Sequence, residues 1–270
     1  MNAAFEKLTQ FDTVTRALSS LADRSAWDQE TVMPKGASEQ RAEEVAALQE
    51  VIHSRRTDPR IGEWLEGAEV ENEVDQASLR IIRNDYNNYI KIPIDLAVEI
   101  GRLSSEAHNV WLEARKNNQF SIFRSSLKTM VSLKREEGQA LNEYNAYEGL
   151  LEKFEPGIKF NNIEKMFERM RPRLINLRKR VLESGIVTKP LGMDFDEKKQ
   201  MKLAKELAQV FGLDFNRSRI DKAVHPFSSG TGSDVRLTTR TSIHDLSLIH
   251  ISEPTRPERI SDGVVCLKKK

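Results

Sequence analysis

An imidazole, a carboxylate, a guanidinium and a hydroxyl stand close together late in the chain, at His225, Asp234, Arg236 and Thr238. His225 precedes Pro226, which pushes its backbone to an extended conformation. An imidazole held there can donate to a substrate carbonyl or orient a neighbour. The commoner use of a single histidine there is as a strand-end residue with a satisfied hydrogen bond. Asp234, Arg236 and Thr238 alternate with Val235, Leu237 and Thr239, so they share one face of a strand. Such a row binds an extended peptide through strand-edge hydrogen bonds, while the planar guanidinium takes carboxylate or carbonyl oxygens. The simpler alternative is a solvated face on which the Asp and Arg pair with each other. A second cluster, Trp27-Asp28-Gln29-Glu30, offers two carboxylates to a metal or an acid-base step. The commoner use of such a segment is to cap helix ends and pack its indole.

No helical metal pair accompanies these residues. His53 and His108 have no histidine at i+4. His244 and His250 have no glutamate between them. A zinc helix of the His-Glu-x-x-His type needs both.

The elements that must carry these residues are mostly helical. Phe5, Leu8, Phe11, Val14, Leu18 and Leu21 recur at spacings of three and four, one apolar stripe of an amphipathic helix. A loop around Trp27 to Gly36, punctuated by Pro34, is expected next. Ser38 caps the following helix, and Asp58-Pro59 is a cap and first-turn pair for another. Val74 to Lys91, Pro93 to Lys116, and Phe120 to Tyr144 continue the helical pattern. Glu155-Pro156-Gly157 reads as a turn. Asn161 or Asn162 starts a helix that Pro172 is expected to kink. Asp194 or Asp196 starts another, closed by Gly212. The period then falls to two in Arg219–Val224 and Asp234–Arg240, with Ser228–Ser233 as the linker of a hairpin-like pair.

Charged residues make up 31% of the 270 and apolar residues 39%, with a formal net charge of +1. This composition favours a soluble helical protein. No basic stripe with interleaved aromatics points to nucleic acid. No apolar run is long enough to cross a bilayer. The N-terminus lacks the pattern of an export signal, and Cys266 is the single cysteine, so the expected location is cytoplasmic.

Taken in order, the motifs resemble the Taq-type (thermostable) metallocarboxypeptidase family. The resemblance rests on Trp27-Asp28-Gln29-Glu30-Thr31-Val32-Met33-Pro34, on Trp111-Leu112-Glu113-Ala114-Arg115, and on Tyr144 to Leu150 with Phe154-Glu155-Pro156-Gly157. Its most specific parts are His225-Pro226-Phe227 and Asp234-x-Arg236-x-Thr238. It covers about residues 5 to 240. It implies a mainly α, zincin-like carboxypeptidase fold around a deep groove, truncated here, with a small β-hairpin near the C-terminal end. It implies an enzyme that removes single C-terminal residues from peptides with a free C-terminus, as a homodimer, using zinc or cobalt. His225, Asp234, Arg236 and Thr238 match groove-lining positions and become substrate-binding candidates. The metal ligands and general base belong to motifs expected beyond Arg240, so no catalytic residue and no metal ligand is assigned here. A non-catalytic helical peptide-binding scaffold and a related helical zincin oligopeptidase are the alternatives.

Leu246 to Arg256, and the residues after it, resemble the translation of a sequencing-library adapter. The expected organisation is therefore one helical domain over 1–245, the N-terminal part of a longer fold, and a non-native tail over 246–270. A catalytic zinc site needs three protein ligands in fixed geometry. The chain as written should therefore bind no stoichiometric zinc or cobalt. Elemental analysis after dialysis checks this, and close to one metal per chain would contradict it.

Overall fold

A computed structural model describes residues 2–186 and 194–243. The expected domain end near Asp245, the adapter-like segment after it, and His244 and His250 lie outside the described residues. The chain divides into two compact units. Among the described residues, one comprises 2–149 with 229–236; the other comprises 150–186, 194–228 and 237–243.

The first unit is built from helices α1 (Ala3–Thr31), α2 (Ser38–Arg56), α3 (Pro59–Gly67), α4 (Glu73–Tyr89), α5 (Ile94–Lys116) and α6 (Phe120–Leu141). The short helix α7 (Ala146–Leu151) follows. Asn2 caps α1 by accepting from Phe5 N at 3.1 Å. No breaker follows until Pro34, so α1 runs through Trp27 to Thr31, where a loop was expected. Its buried face is Phe5, Leu8, Thr15 and Trp27, whereas Val14 and Leu21 face outward. Asp58 caps α3 with Pro59 in the first turn, as the dipeptide implied. Asn72 caps α4 by accepting from Asp75 N at 2.8 Å.

Leu8, Ile61, Leu65 and Ile82 form one core cluster, flanked by Phe11, Trp64, Leu79 and Tyr86. Ile92, Leu96 and Leu141 form a second. Arginines of α2 staple these helices together. Arg55 donates to Phe11 O at 3.0 Å and to Thr15 Oγ1 at 3.1 Å, with its guanidinium 3.9 Å from the Phe11 ring centre. His53 is buried, and its Nε2 donates to Ile92 O at 2.8 Å. A carbonyl can only accept, so the tautomer is set by this contact.

The second unit holds α8 (Phe160–Glu183) and α9 (Glu197–Val210). Pro172 lies inside a continuous α8, none of whose residues is buried. Asp196 caps α9 by accepting from Lys199 N at 2.9 Å, and Gly212 follows with φ of 91°. Gln200 is buried and donates to Phe195 O and Ser242 O at 3.0 and 2.6 Å.

Three strands, β1 (Ser218–Lys222), β2 (Ser228–Thr231) and β3 (Asp234–Thr239), form a sheet in the order β1-β3-β2. The expected linker Ser228–Ser233 is thus largely a strand, and the tight hairpin is β2 to β3. Gly232, with φ of 60°, opens the two-residue turn, the position where such a hairpin favours glycine. A Cβ at Gly230 would lie 3.0 Å from both Asp234 O and Val235 Cα. Small residues let β2 approach this closely, and small residues carry little of the alternation by which strands are recognised.

Gly138 on α6 and Gly149 on α7 meet backbone to backbone. A Cβ at Gly138 would lie 2.3 Å from Ala146 O, and one at Gly149 would lie 2.3 Å from Gly138 O. Neither carbonyl can swing aside as a side chain would. Gly138→Ala should therefore destabilise the chain by about 2–3 kcal/mol. Urea unfolding followed by circular dichroism checks this, and a loss below about 0.5 kcal/mol would contradict it.

Candidate functional site

Asp234 and Arg236 open β3 directly after the Gly232-Ser233 turn, and their i, i+2 spacing places both on one face. Asp234 Oδ1 and Oδ2 accept from Arg236 Nε and Nη2, each at 2.9 Å. The guanidinium lies over the indole of Trp27, 4.2 Å from the ring centre. Arg24, one turn before Trp27 on α1, brings Nη1 to 3.6 Å from Asp234 Oδ2. The Arg236 hydrogen bonds above all, with the charges of Arg236 and Arg24, hold the Asp234 carboxyl below the usual range. Two guanidinium groups share one carboxylate, so the cluster carries excess positive charge. That charge and the donors on Arg236 suit an incoming carboxylate.

Thr238 has another task. It is buried at 1% exposure, and its Oγ1 accepts from Phe227 N at 2.6 Å and donates to Phe227 O at 3.0 Å. Thr238 N also donates to Phe227 O at 2.8 Å. The hydroxyl thus clamps the backbone just after Pro226. His225 is exposed, in a bend between β1 and β2. Of the four residues singled out from sequence, Asp234 and Arg236 touch each other, while Thr238 grips the segment that follows His225.

Each residue of Trp27-Asp28-Gln29-Glu30 makes a contact beyond its own helix. Trp27 lies under Arg236. Asp28 Oδ2 pairs with Arg41 Nη2 at 2.6 Å. Gln29 Nε2 donates to Ser105 O at 2.8 Å, and Ser105 Oγ donates back to Gln29 Oε1 at 3.1 Å. Glu30 Oε1 lies 3.1 Å from His108 Nδ1 on α5. The two carboxylates therefore serve different partners rather than one metal. Trp27 and Glu30 stood out in the sequence, but Arg24, the meeting of Trp27 with Arg236 and that of Glu30 with His108 did not. Only the helical spacing of Arg24 and Trp27 hinted at the first. Among the described residues, no group of three His, Cys, Asp or Glu side chains is arranged to hold a metal ion.

A family model described as Carboxypeptidase Taq (M32) metallopeptidase matches residues 7–252. Thermostable carboxypeptidase 1 of Thermus thermophilus is 35% identical over 257 residues, 88% of this chain and 50% of the relative. Carboxypeptidase 1 of Bacillus subtilis is 31% identical, covering 79% of this chain and 44% of its own length. The BsuCP crystal structure superposes with a TM-score of 0.85 at 27% identity, over 94% of this chain and 53% of that one. The Pyrococcus furiosus carboxypeptidase structure, in its apo-Mg form, gives 0.77 at 26% identity, over 93% and 53%. The chain thus spans about half the length of the curated relatives it matches.

The Glu30–His108 contact has a pH signature. Burial raises the Glu30 carboxyl to about 7 and lowers the His108 imidazole below its ordinary value. Between pH 4.5 and about 7 the folded chain binds more protons at Glu30 than the unfolded chain does. The contribution of this group to stability therefore falls as pH rises through that window. Lowered His108 acts in the opposite sense, costing stability as pH drops below its unfolded value. Glu30→Gln should remove the first dependence and make the variant more stable than the parent chain at pH 8. Denaturant melts at pH 5 and pH 8 check this; a variant less stable than the parent chain at pH 8 would contradict it.

Proposed function

As the chain belongs to the Carboxypeptidase Taq (M32) metallopeptidase family, we propose that it is the N-terminal part of an enzyme that removes single C-terminal residues from peptides. The observation that supports this best is the Arg24–Asp234–Arg236 cluster over Trp27, a fixed cationic surface suited to a peptide carboxylate. Arg236 binds the peptide, and Asp234 orients its fork. Thr238 holds Phe227, and through it the segment carrying His225, and both are substrate-side residues in this reading. Zinc or cobalt serves the complete enzyme, which works as a cytoplasmic homodimer on peptides with a free C-terminus.

In such an enzyme the metal supplies activated water and polarises the scissile carbonyl. The donor groups present among the described residues do not build a three-ligand site. No hydrolytic step is therefore assigned to this chain, whose own part is binding and orientation. The chain as given is inactive in this reading.

The test is a complete enzyme, made by joining residues 1–240 to the remaining half of a relative. It should cleave N-blocked peptides with a free C-terminus and leave the amidated peptides intact. Arg236→Ala should lower kcat/KM by roughly tenfold to a hundredfold, the range for losing a charge-assisted hydrogen bond, with little change in melting. Equal cleavage of free and amidated peptides would contradict exopeptidase action. Unchanged kinetics in the variant would make Arg236 a structural ion-pair residue.

A further inference from the structure

We propose that Trp27 is a positioning residue, whose indole face holds the Arg236 guanidinium so that its outer fork can take the C-terminal carboxylate of a peptide. The carboxylate part rests on the function proposed above. The positioning part rests on geometry alone.

Asp234 and Trp27 constrain the guanidinium in different ways. Asp234 accepts from Nε and Nη2, each at 2.9 Å, which fixes the group's rotation within its own plane. That side-on pairing does not define the plane, because the guanidinium can hinge about the line of the two hydrogen bonds. The indole closes one side of that hinge, its ring centre lying 4.2 Å from Arg236 Cζ. Trp27 is only 4% exposed, so the surface against which the guanidinium rests is itself held in the packed interior of its unit. The Arg236 side chain, at 20% exposure, sits at the rim of that interior.

What this leaves open matches the ligand. Side-on pairing uses Nε and one hydrogen of Nη2. The end-on pair, made by Nη1 and the outer hydrogen of Nη2, is the geometry that grips a carboxylate through two parallel hydrogen bonds. Among the described residues Nη1 donates to none. Arg24, 3.6 Å from Asp234, shares that carboxylate and keeps the local charge positive. An aromatic face also restrains a cation without consuming any of its N–H donors, which a second carboxylate would do. Trp27 is therefore suited to hold Arg236 while leaving it able to bind.

The test uses the full chain, with side-chain NMR of Arg236. The δ protons and Nε–H of Arg236 should show an upfield ring-current shift, and Nε–H should exchange slowly with solvent. Trp27→Leu keeps apolar bulk but removes the aromatic face, and should abolish both features at unchanged helix content. Trp27→Phe should retain them in part. Arg236 resonances identical in the Trp27→Leu variant and the original chain would overturn the proposal. Should Trp27→Leu unfold the chain, Arg236→Lys decides from the other side. It leaves the helix untouched and should move the Trp27 ring resonances, and unmoved resonances would overturn the proposal. N-acetyl-dialanine, as free acid or amide, then probes the fork. The acid should bind the original chain and the Trp27→Phe variant, bind the Trp27→Leu variant about three- to tenfold more weakly, and exceed the amide throughout. If Arg236 responds as expected but the acid binds no better than the amide, the carboxylate reading falls and the positioning of Arg236 by Trp27 stands.

Discussion

The contact between Trp27 and Arg236 is the constraint on which the rest of the candidate site depends. It joins α1 to β3, two elements far apart in sequence, through a cation over an aromatic face. Such a contact contributes only about 0.5–2 kcal/mol. Its importance lies in direction rather than depth. The indole closes one side of the guanidinium's hinge, Asp234 sets its rotation within its own plane, and the two together turn a flexible side chain into a fixed fork.

Contacts along α1 hold the helix, and Trp27 near its end, in place. Arg55 ties α2 to Phe11 and Thr15. Gln29 and Ser105 exchange two hydrogen bonds between α1 and α5. Asp28 meets Arg41 of α2, and Glu30 meets His108 of α5. The polar residues beside Trp27 are thus committed to neighbouring helices. They secure the indole rather than forming a second reactive centre. Burial makes one of these ties, Glu30 to His108, sensitive to pH near neutrality.

Much of this was legible in the sequence, for reasons specific to each element. Asp58-Pro59, and Asp196 as one of two candidates beside Asp194, announced helix starts because capping chemistry is local. Strand period placed Asp234 and Arg236 on one face, and their pairing with each other was one of two readings of that face. The family resemblance, drawn from His225-Pro226-Phe227 and Asp234-x-Arg236-x-Thr238, agrees with the family match and with the helical fold of its solved structures. The helical state of Trp27 to Thr31 was missed because Trp, Asp, Gln, Glu and Thr carry no apolar period, and tertiary contacts decide there. β2 was missed because Ser-Ser-Gly-Thr pairs through its backbone. Trp27 under Arg236, and Glu30 beside His108, are long-range meetings that no local pattern encodes.

The most direct measurement is a crystal structure of the full chain soaked with an N-acetylated dipeptide bearing a free C-terminus. The account predicts the carboxylate end-on to Arg236, its oxygens about 2.7–2.9 Å from Nη1 and Nη2, with the guanidinium still over the Trp27 ring. A carboxylate bound elsewhere, or a guanidinium turned away from the indole, would contradict it.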